Sequence, residues 1–149
     1  MSSIYNKTDN DSIISRINQL NSDTKALWGK MTVSQMLRHC KLASDIAFGN
    51  QNLKINFIMK LLGKMLKKKV FYGGDMGKNS PTAKEFIITE QPDFETVKNE
   101  MVANFKRFAD EGTSCIKTLN HPFWGKMTYE DWDALMWKHI DHHLRQFGV

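Results

Sequence analysis

Thr128-Tyr129-Glu130-Asp131-Trp132-Asp133-Ala134-Leu135-Met136-Trp137-Lys138-His139-Ile140-Asp141-His142-His143-Leu144-Arg145-Gln146-Phe147 carries the clearest periodicity in the chain. Trp132, Met136, Ile140 and Phe147 share one stripe at about 100° per residue, so the segment reads as an amphipathic helix from Thr128 almost to Val149. His139 and His143 fall inside that stripe or on its border, about 40° apart and one turn apart in height. An i, i+4 pair of imidazoles facing inward can share one divalent metal, because the spacing brings two ring nitrogens to the same side of the helix. His142 sits further round, and Asp141 points to the opposite side.

The rest of the chain divides into helices by the same reading. Asp9-Asn10-Asp11-Ser12 offers caps for a first helix to about Leu20, with Ile13, Ile14, Ile17 and Leu20 on one stripe. Thr32-Val33-Ser34-Gln35 is a capping box that opens a second helix. Val33, Met36, Leu37, Cys40, Ala43 and Ala47 form its stripe, and Gly49 supplies the stop. A third helix over Leu53–Lys69 gathers Ile55, Ile58, Leu61, Leu62, Met65 and Leu66 on one face and Lys60, Lys64, Lys67 and Lys68 on the other. That pattern resembles a membrane-surface or calmodulin-target helix. The expectation is plainer: the apolar face packs on the bundle and the lysines stay in water, or rim a pocket mouth that attracts an anionic substrate.

Gly73 to Pro81 reads as a loop, and Phe86-Ile87-Ile88-Thr89 as an extended connector. Asp93 caps a long helix through Val97, Met101, Phe105 and Phe108 that ends at Gly112, and Asn120-His121-Pro122 is a further break. Four main helices, one inserted amphipathic helix and no convincing strand pair predict an all-α bundle forming a single domain over 1–149.

Composition narrows the class. A chain of 149 residues can bury a sizeable core without staples, and its charged fraction of 25% argues against disorder. The excess of 21 Lys+Arg over 16 Asp+Glu lacks Arg-rich blocks and any recognition motif, so no nucleic-acid partner is expected. Two cysteines exclude a disulfide scaffold and a cysteine-based zinc finger. Cys40, on an apolar stripe, reads as an inert buried thiol; Cys115 follows a loop and is open to oxidation, but no base is positioned for it. The opening Met1–Lys7 has no apolar signal core and no stretch approaches ~20 apolar residues, so a cytoplasmic protein is expected.

Trp28-Gly29-Lys30-Met31-Thr32 recurs identically as Trp124-Gly125-Lys126-Met127-Thr128, each copy immediately before a helix with Thr at the cap position. The simplest reading is two helix entrances solved the same way. The echo also aligns the starts of the two helices that carry the chemistry. His39 is the only histidine of the second helix and flanks its stripe on the side of Ala43 and Ile46, so it can reach the interior. His39, His139 and His143 together would leave a coordination position open, as catalytic sites do. Each ligand would need an acceptor for its remaining ring N–H, and the sequence does not identify one. Spacing alone leaves a second outcome open, in which these are satisfied core or rim histidines. No nucleophile elbow, phosphate-binding glycine loop or paired carboxylates accompany them.

The segments Trp28–Cys40 (WGKMTVSQMLRHC) and His121–Val149 (HPFWGKMTYEDWDALMWKHIDHHLRQFGV) resemble the DinB/YfiT-like metalloenzyme superfamily, in a branch of unknown function. The resemblance implies an up-down-down-up four-helix bundle, here with the amphipathic helix added between the second and third main helices, and a homodimer. It implies a divalent metal on His39, His139 and His143, and Leu144-Arg145-Gln146 resembles the Arg- and Gln-containing continuation of the family motif. Zinc or nickel suits imidazole ligands best, with iron and manganese also compatible. Characterised relatives include thiol-dependent S-transferases, an isomerase and a proposed hydrolase. The implied activity is thiol S-transfer or hydrolysis on a small molecule, with a low-molecular-weight thiol as cosubstrate in the first case. His142 and His121 are the candidate proton acceptors. The rival expectation is a metal-free, non-catalytic dimeric binding module. Membrane-surface contact is not expected in either case.

Overall fold

The computed structural model describes residues 2–80 and 82–149. The first helix, α1 (Lys7–Gln19), is capped by Asn6, whose side chain accepts from the Asp9 N–H. The cap is therefore upstream of the expected Asp9–Ser12 cluster, where Asp9, Asn10 and Asp11 are engaged elsewhere. The Asp9 carboxylate accepts from the Ser3 N–H, and Asp11 pairs with Lys7. Asn10 turns inward, fully buried, and donates to the carbonyls of Ile4 and Phe105.

The second helix, α2 (Val33–Ala47), carries the full capping box: Thr32 accepts from the Gln35 N–H while the Gln35 side chain accepts from the Thr32 N–H. It ends before Gly49, whose φ of +74° is cheap only for glycine. Helix α4 (Phe94–Glu111) is capped by Asp93 and stopped by Gly112, as expected. Helix α5 (Tyr129–Gln146) has a second capping box, formed by Thr128 and Asp131. Both copies of the five-residue echo thus end on a helix cap.

These four helices share one core. Helix α4 packs on α1 and α2, and α5 packs on α1 and α2. Ile13 and Ile17 meet Met36 and Leu37, Met101, Phe105 and Phe108, and Trp132, Met136, Ile140 and Leu144 within the common cluster. Each such side chain contributes about 1.5–3 kcal/mol on full burial, so the apolar stripes account for the assembly. The described chain is all-α apart from a minimal hairpin, Asn120–His121 paired antiparallel with Gly125–Lys126, at the position expected only to break the chain. Cys115 is fully buried beneath a short 3₁₀ turn (Gly112–Cys115), which removes it from the oxidisable loop expected for it. Burial pushes its thiol up to about 11. A second 3₁₀ turn, Lys84–Phe86, precedes extended backbone at Ile87. The loop from Gly73 is irregular through Ser80; Pro81 lies outside the described residues.

Helix α3 (Phe57–Tyr72) corrects the sequence reading most. It is capped by Asn56, later than the expected start at Leu53. It packs on α5 and the hairpin through the strip Gly63, Lys67 and Phe71, not through its leucines. Gly63 lies so close to the hairpin turn that a Cβ there would sit 2.2 Å from the Phe123 carbonyl oxygen. Lys67 pairs with Asp131 and donates to the Lys126 carbonyl, Tyr72 donates to Asp131, and Phe71 is fully buried edge-on to Trp124. The apolar face therefore points outward: Ile58 is 76% exposed and Met65 73%. Among the described residues no helix is long and apolar enough to cross a membrane.

Candidate metal centre

Helices α2 and α5 meet where His39 faces His139 and His143. The three rings form a near-equilateral triangle, with centroids 4.8 Å apart for His39–His139, 5.0 Å for His39–His143 and 4.8 Å for His139–His143. One nitrogen from each ring lies within 4.8 Å of the others. His143 is buried, and His39 and His139 are half-buried.

The hydrogen bonds around the triangle fix the rings and their tautomers. His39 Nδ1 lies 2.9 Å from the Phe86 carbonyl oxygen, which can only accept, so Nδ1 carries the proton and Nε2 presents a lone pair. Gln146 spans two partners: its amide nitrogen donates to the Trp28 carbonyl at 2.7 Å, and its Oε1 lies 2.8 Å from His143 Nδ1. The first bond sets the orientation of the amide, so the second requires Nδ1–H on His143, leaving Nε2 bare. These are the outer acceptors that histidine ligands ordinarily use to hold orientation and basicity.

His39 Nε2 and His139 Nε2 are 2.9 Å apart. Since His39 Nε2 is bare, the shared proton belongs to His139, and this ring would offer Nε2 to a cation as the tautomer that carries its proton on Nδ1. Two nitrogens on one tetrahedral ion at about 2.05 Å stand roughly 3.3 Å apart, so this pair opens by only a few tenths of an ångström to fit one.

Burial, which disfavours the imidazolium, lowers all three histidines. His139 falls well below its ordinary value, with His143 the next cause. His143 falls to about 3, with His39 next, while for His39 the bond to Phe86 partly opposes the burial. All three are neutral at neutral pH, the form that binds metal. The donor set fits a divalent cation that accepts imidazole.

The other sequence candidates lie outside the triangle. His142 stands on the neighbouring flank of α5, edge-on to Trp28 with ring centroids 5.9 Å apart. It borders a groove of ≈ 380 Å³ with Met76, Trp137, Lys138 and Arg145. Burial and then Arg145 lower its pKa. His121 is buried in the hairpin, where Nδ1 accepts from the N–H groups of Phe123 and Trp124. Burial, then Lys67, lowers it to about 3. Its ring stacks on Phe86 at an interplanar angle of 15°, so it backs the residue whose carbonyl holds His39. Cys40 is buried beside Met36, and burial pushes its thiol up.

Two partners escaped the sequence reading. The Phe86 carbonyl is a main-chain group in a connector and has no signature. Gln146 did have one: it lies three residues after His143 on the same helix, a spacing that places two side chains side by side. The first copy of the echo also acquires a local role. Trp28 supplies the carbonyl for Gln146, and a Cβ on Gly29 would lie 2.5 Å from the Gln146 amide nitrogen.

An all-α chain with a three-histidine cluster between two helices defines the class. The model of the family described as "Protein of unknown function (DUF1569)" matches residues 5–148, and the chain belongs to that family. No curated protein and no solved structure matches it.

Proposed function

We propose that this protein is a divalent-metal-dependent enzyme of the DinB/YfiT-like kind, built as an up-down-down-up bundle with α3 inserted, dimeric and cytoplasmic. Its metal ligands are His39, His139 and His143. The observation that carries this reading is the bare Nε2 of both His39 and His143, each enforced by an acceptor at Nδ1. A pocket of neutral imidazoles with oriented lone pairs is what a cation requires, and satisfied core histidines have no need of that alignment. Zinc or nickel fits the donors best, then iron or manganese.

Bound there, the ion would supply Lewis acidity to an oxygen or sulfur nucleophile, consistent with thiol S-transfer or hydrolysis on a small molecule. The chain's own contribution is rigid placement. Phe86 and Gln146 hold two rings, and His121 and Trp28 back those two residues. His142, half-buried beside His143 with ring centroids 5.1 Å apart, is the group best placed to accept a proton from a molecule in the adjoining groove. His121, spent on the hairpin turn, is the weaker candidate.

A second reading has its own support. The His39–His139 hydrogen bond satisfies both Nε2 atoms without a cation, as a metal-free binding module would require. Metal content separates the two. Protein prepared without chelators or a polyhistidine tag should carry near-stoichiometric metal by elemental analysis, and His39→Ala and His139→Ala should each lose it while keeping the wild-type helical circular dichroism. Full occupancy in His139→Ala, or no metal in wild type after excess is added, refutes the metal centre.

A further inference from the structure

Helix α3 leaves its most apolar side in water. At about 100° per residue, Leu61, Met65 and Ile58 fall within roughly 60° of arc. Ile58 is 76% exposed, Met65 73% and Leu61 50%. Single exposed apolar residues are ordinary; a continuous ridge of them along one helix marks a contact surface. Ile58 to Met65 occupy two turns of the 16-residue helix, so the ridge is roughly 10 Å long.

Charge indicates what the ridge meets. Lys68 borders the arc on one side, with Lys64 and Lys60 beyond it, and Lys69 borders it on the other. All four are exposed, and none forms an ion pair among the described residues. From Gln51 to Gly74 there is no Asp or Glu at all. Lysines on both flanks of an outward apolar ridge are the arrangement of a helix lying in the plane of an anionic lipid surface. The flexible stems let the ammonium groups rise to the phosphates while the ridge enters the acyl boundary. A second copy is a poor occupant, because pairing two ridges face to face sets lysine against lysine with no acid in the segment to answer it.

The mounting of the helix is also suited to this. Gly63, Lys67, Phe71 and Tyr72 hold α3 to α5 and the hairpin from behind, so the ridge is displayed on a rigid support and needs no unfolding to be exposed. We infer that α3 docks this protein peripherally on anionic membranes, with Ile58, Leu61 and Met65 inserted and Lys68 and Lys69, on either side of them, facing the headgroups. The inference is independent of the metal reading.

The test is co-sedimentation of the full chain with vesicles of phosphatidylcholine alone, or with about a third phosphatidylserine. Two double variants accompany the wild type: Ile58→Ser with Met65→Ser, and Lys68→Glu with Lys69→Glu. All four residues are exposed, so thermal melts should match the wild type. Wild type should pellet with the anionic vesicles only, and should release as salt shrinks the Debye length from about 10 Å at 0.1 M to about 3 Å at 1 M. The lysine variant should bind at least tenfold more weakly, since each lysine near such a surface is worth about fivefold. The apolar variant should also fall. Absence of binding to anionic vesicles, equal binding to neutral ones, or unchanged binding in both variants overturns the proposal. So does a dimer in sedimentation velocity that the Ile58→Ser, Met65→Ser variant dissociates, because the ridge would then be covered by a second copy.

Discussion

Gln146 Oε1 lies 2.8 Å from His143 Nδ1, and the same amide reaches the Trp28 carbonyl at 2.7 Å. One side chain thereby connects the end of α5 to the loop before α2, and sets which nitrogen of His143 is available. Removing an outer partner of a metal-ligating histidine commonly costs 10–100-fold in affinity. Gln146→Leu should lower metal affinity by about that factor in a competition titration against a chelator. Gln146→Glu, which keeps an acceptor for His143, should lose less. Equal affinity in wild type and Gln146→Leu would detach this residue from the centre.

The two glycines of the echo offer a matched pair. Gly29 has φ +84° and Gly125 has φ +73°, so alanine is strained at both, by roughly 1–2 kcal/mol in a denaturant titration. Their neighbours differ. A Cβ at Gly29 meets the Gln146 amide at 2.5 Å, whereas at Gly125 it meets the flexible Lys64 side chain at 3.0 Å. Gly29→Ala should therefore weaken metal binding and Gly125→Ala should not, although both lose stability. The reverse ranking would remove the first echo from the architecture of the centre.

Asn10 is the buried polar tie of the core. Its amide donates at 2.7 Å to Ile4 and 2.8 Å to Phe105, joining the residue ahead of α1 to α4. Asn10→Ala leaves both carbonyls without that donor and should cost roughly 1–3 kcal/mol by urea unfolding, with no change in metal stoichiometry. A loss under 0.5 kcal/mol, within the range of a surface substitution, would show that water replaces the amide.

Asp131 ties α3 to α5 and gives the fold an acid limit. Burial would raise its carboxyl, but bonds from Lys67, Tyr72 and the Thr128 N–H outweigh it and hold the group below the usual carboxylate range. A depressed folded value means the stabilisation is complete above the unfolded value of about 3.9 and is lost as pH falls through the folded one. Asp131→Asn should flatten the dependence of stability on pH below about 4 and speed amide exchange along α3 at neutral pH. An unchanged acid limb would place the tie elsewhere.

What the sequence discloses follows the range of each interaction. The cap of α2 was legible because a capping box is closed within four residues, that of α5 because Thr128 repeats the place of Thr32 in the echo, and the histidine alignment because helical period carries it from there. The start of α1 was misread because Asp9 and Asn10 look like caps until their partners, Ser3 for one and Ile4 and Phe105 for the other, are known. The orientation of α3 was misread for a related reason. Periodicity shows that one side is apolar, but which side turns inward depends on contacts of Gly63 with Phe123 and of Lys67 with Asp131, both about 60 residues away in sequence. The Phe86 carbonyl was invisible because every residue has one.

His39 and His139 touch across 100 residues of chain. A contact of that span closes a long loop, and loop closure is entropically deferred until nearer pairings have formed. The triangle is therefore a product of completed folding and cannot seed it. A cation added to the unfolded chain finds no preorganised trio, so the appearance of tight binding during refolding marks the moment when the beginning and end of the chain come into register.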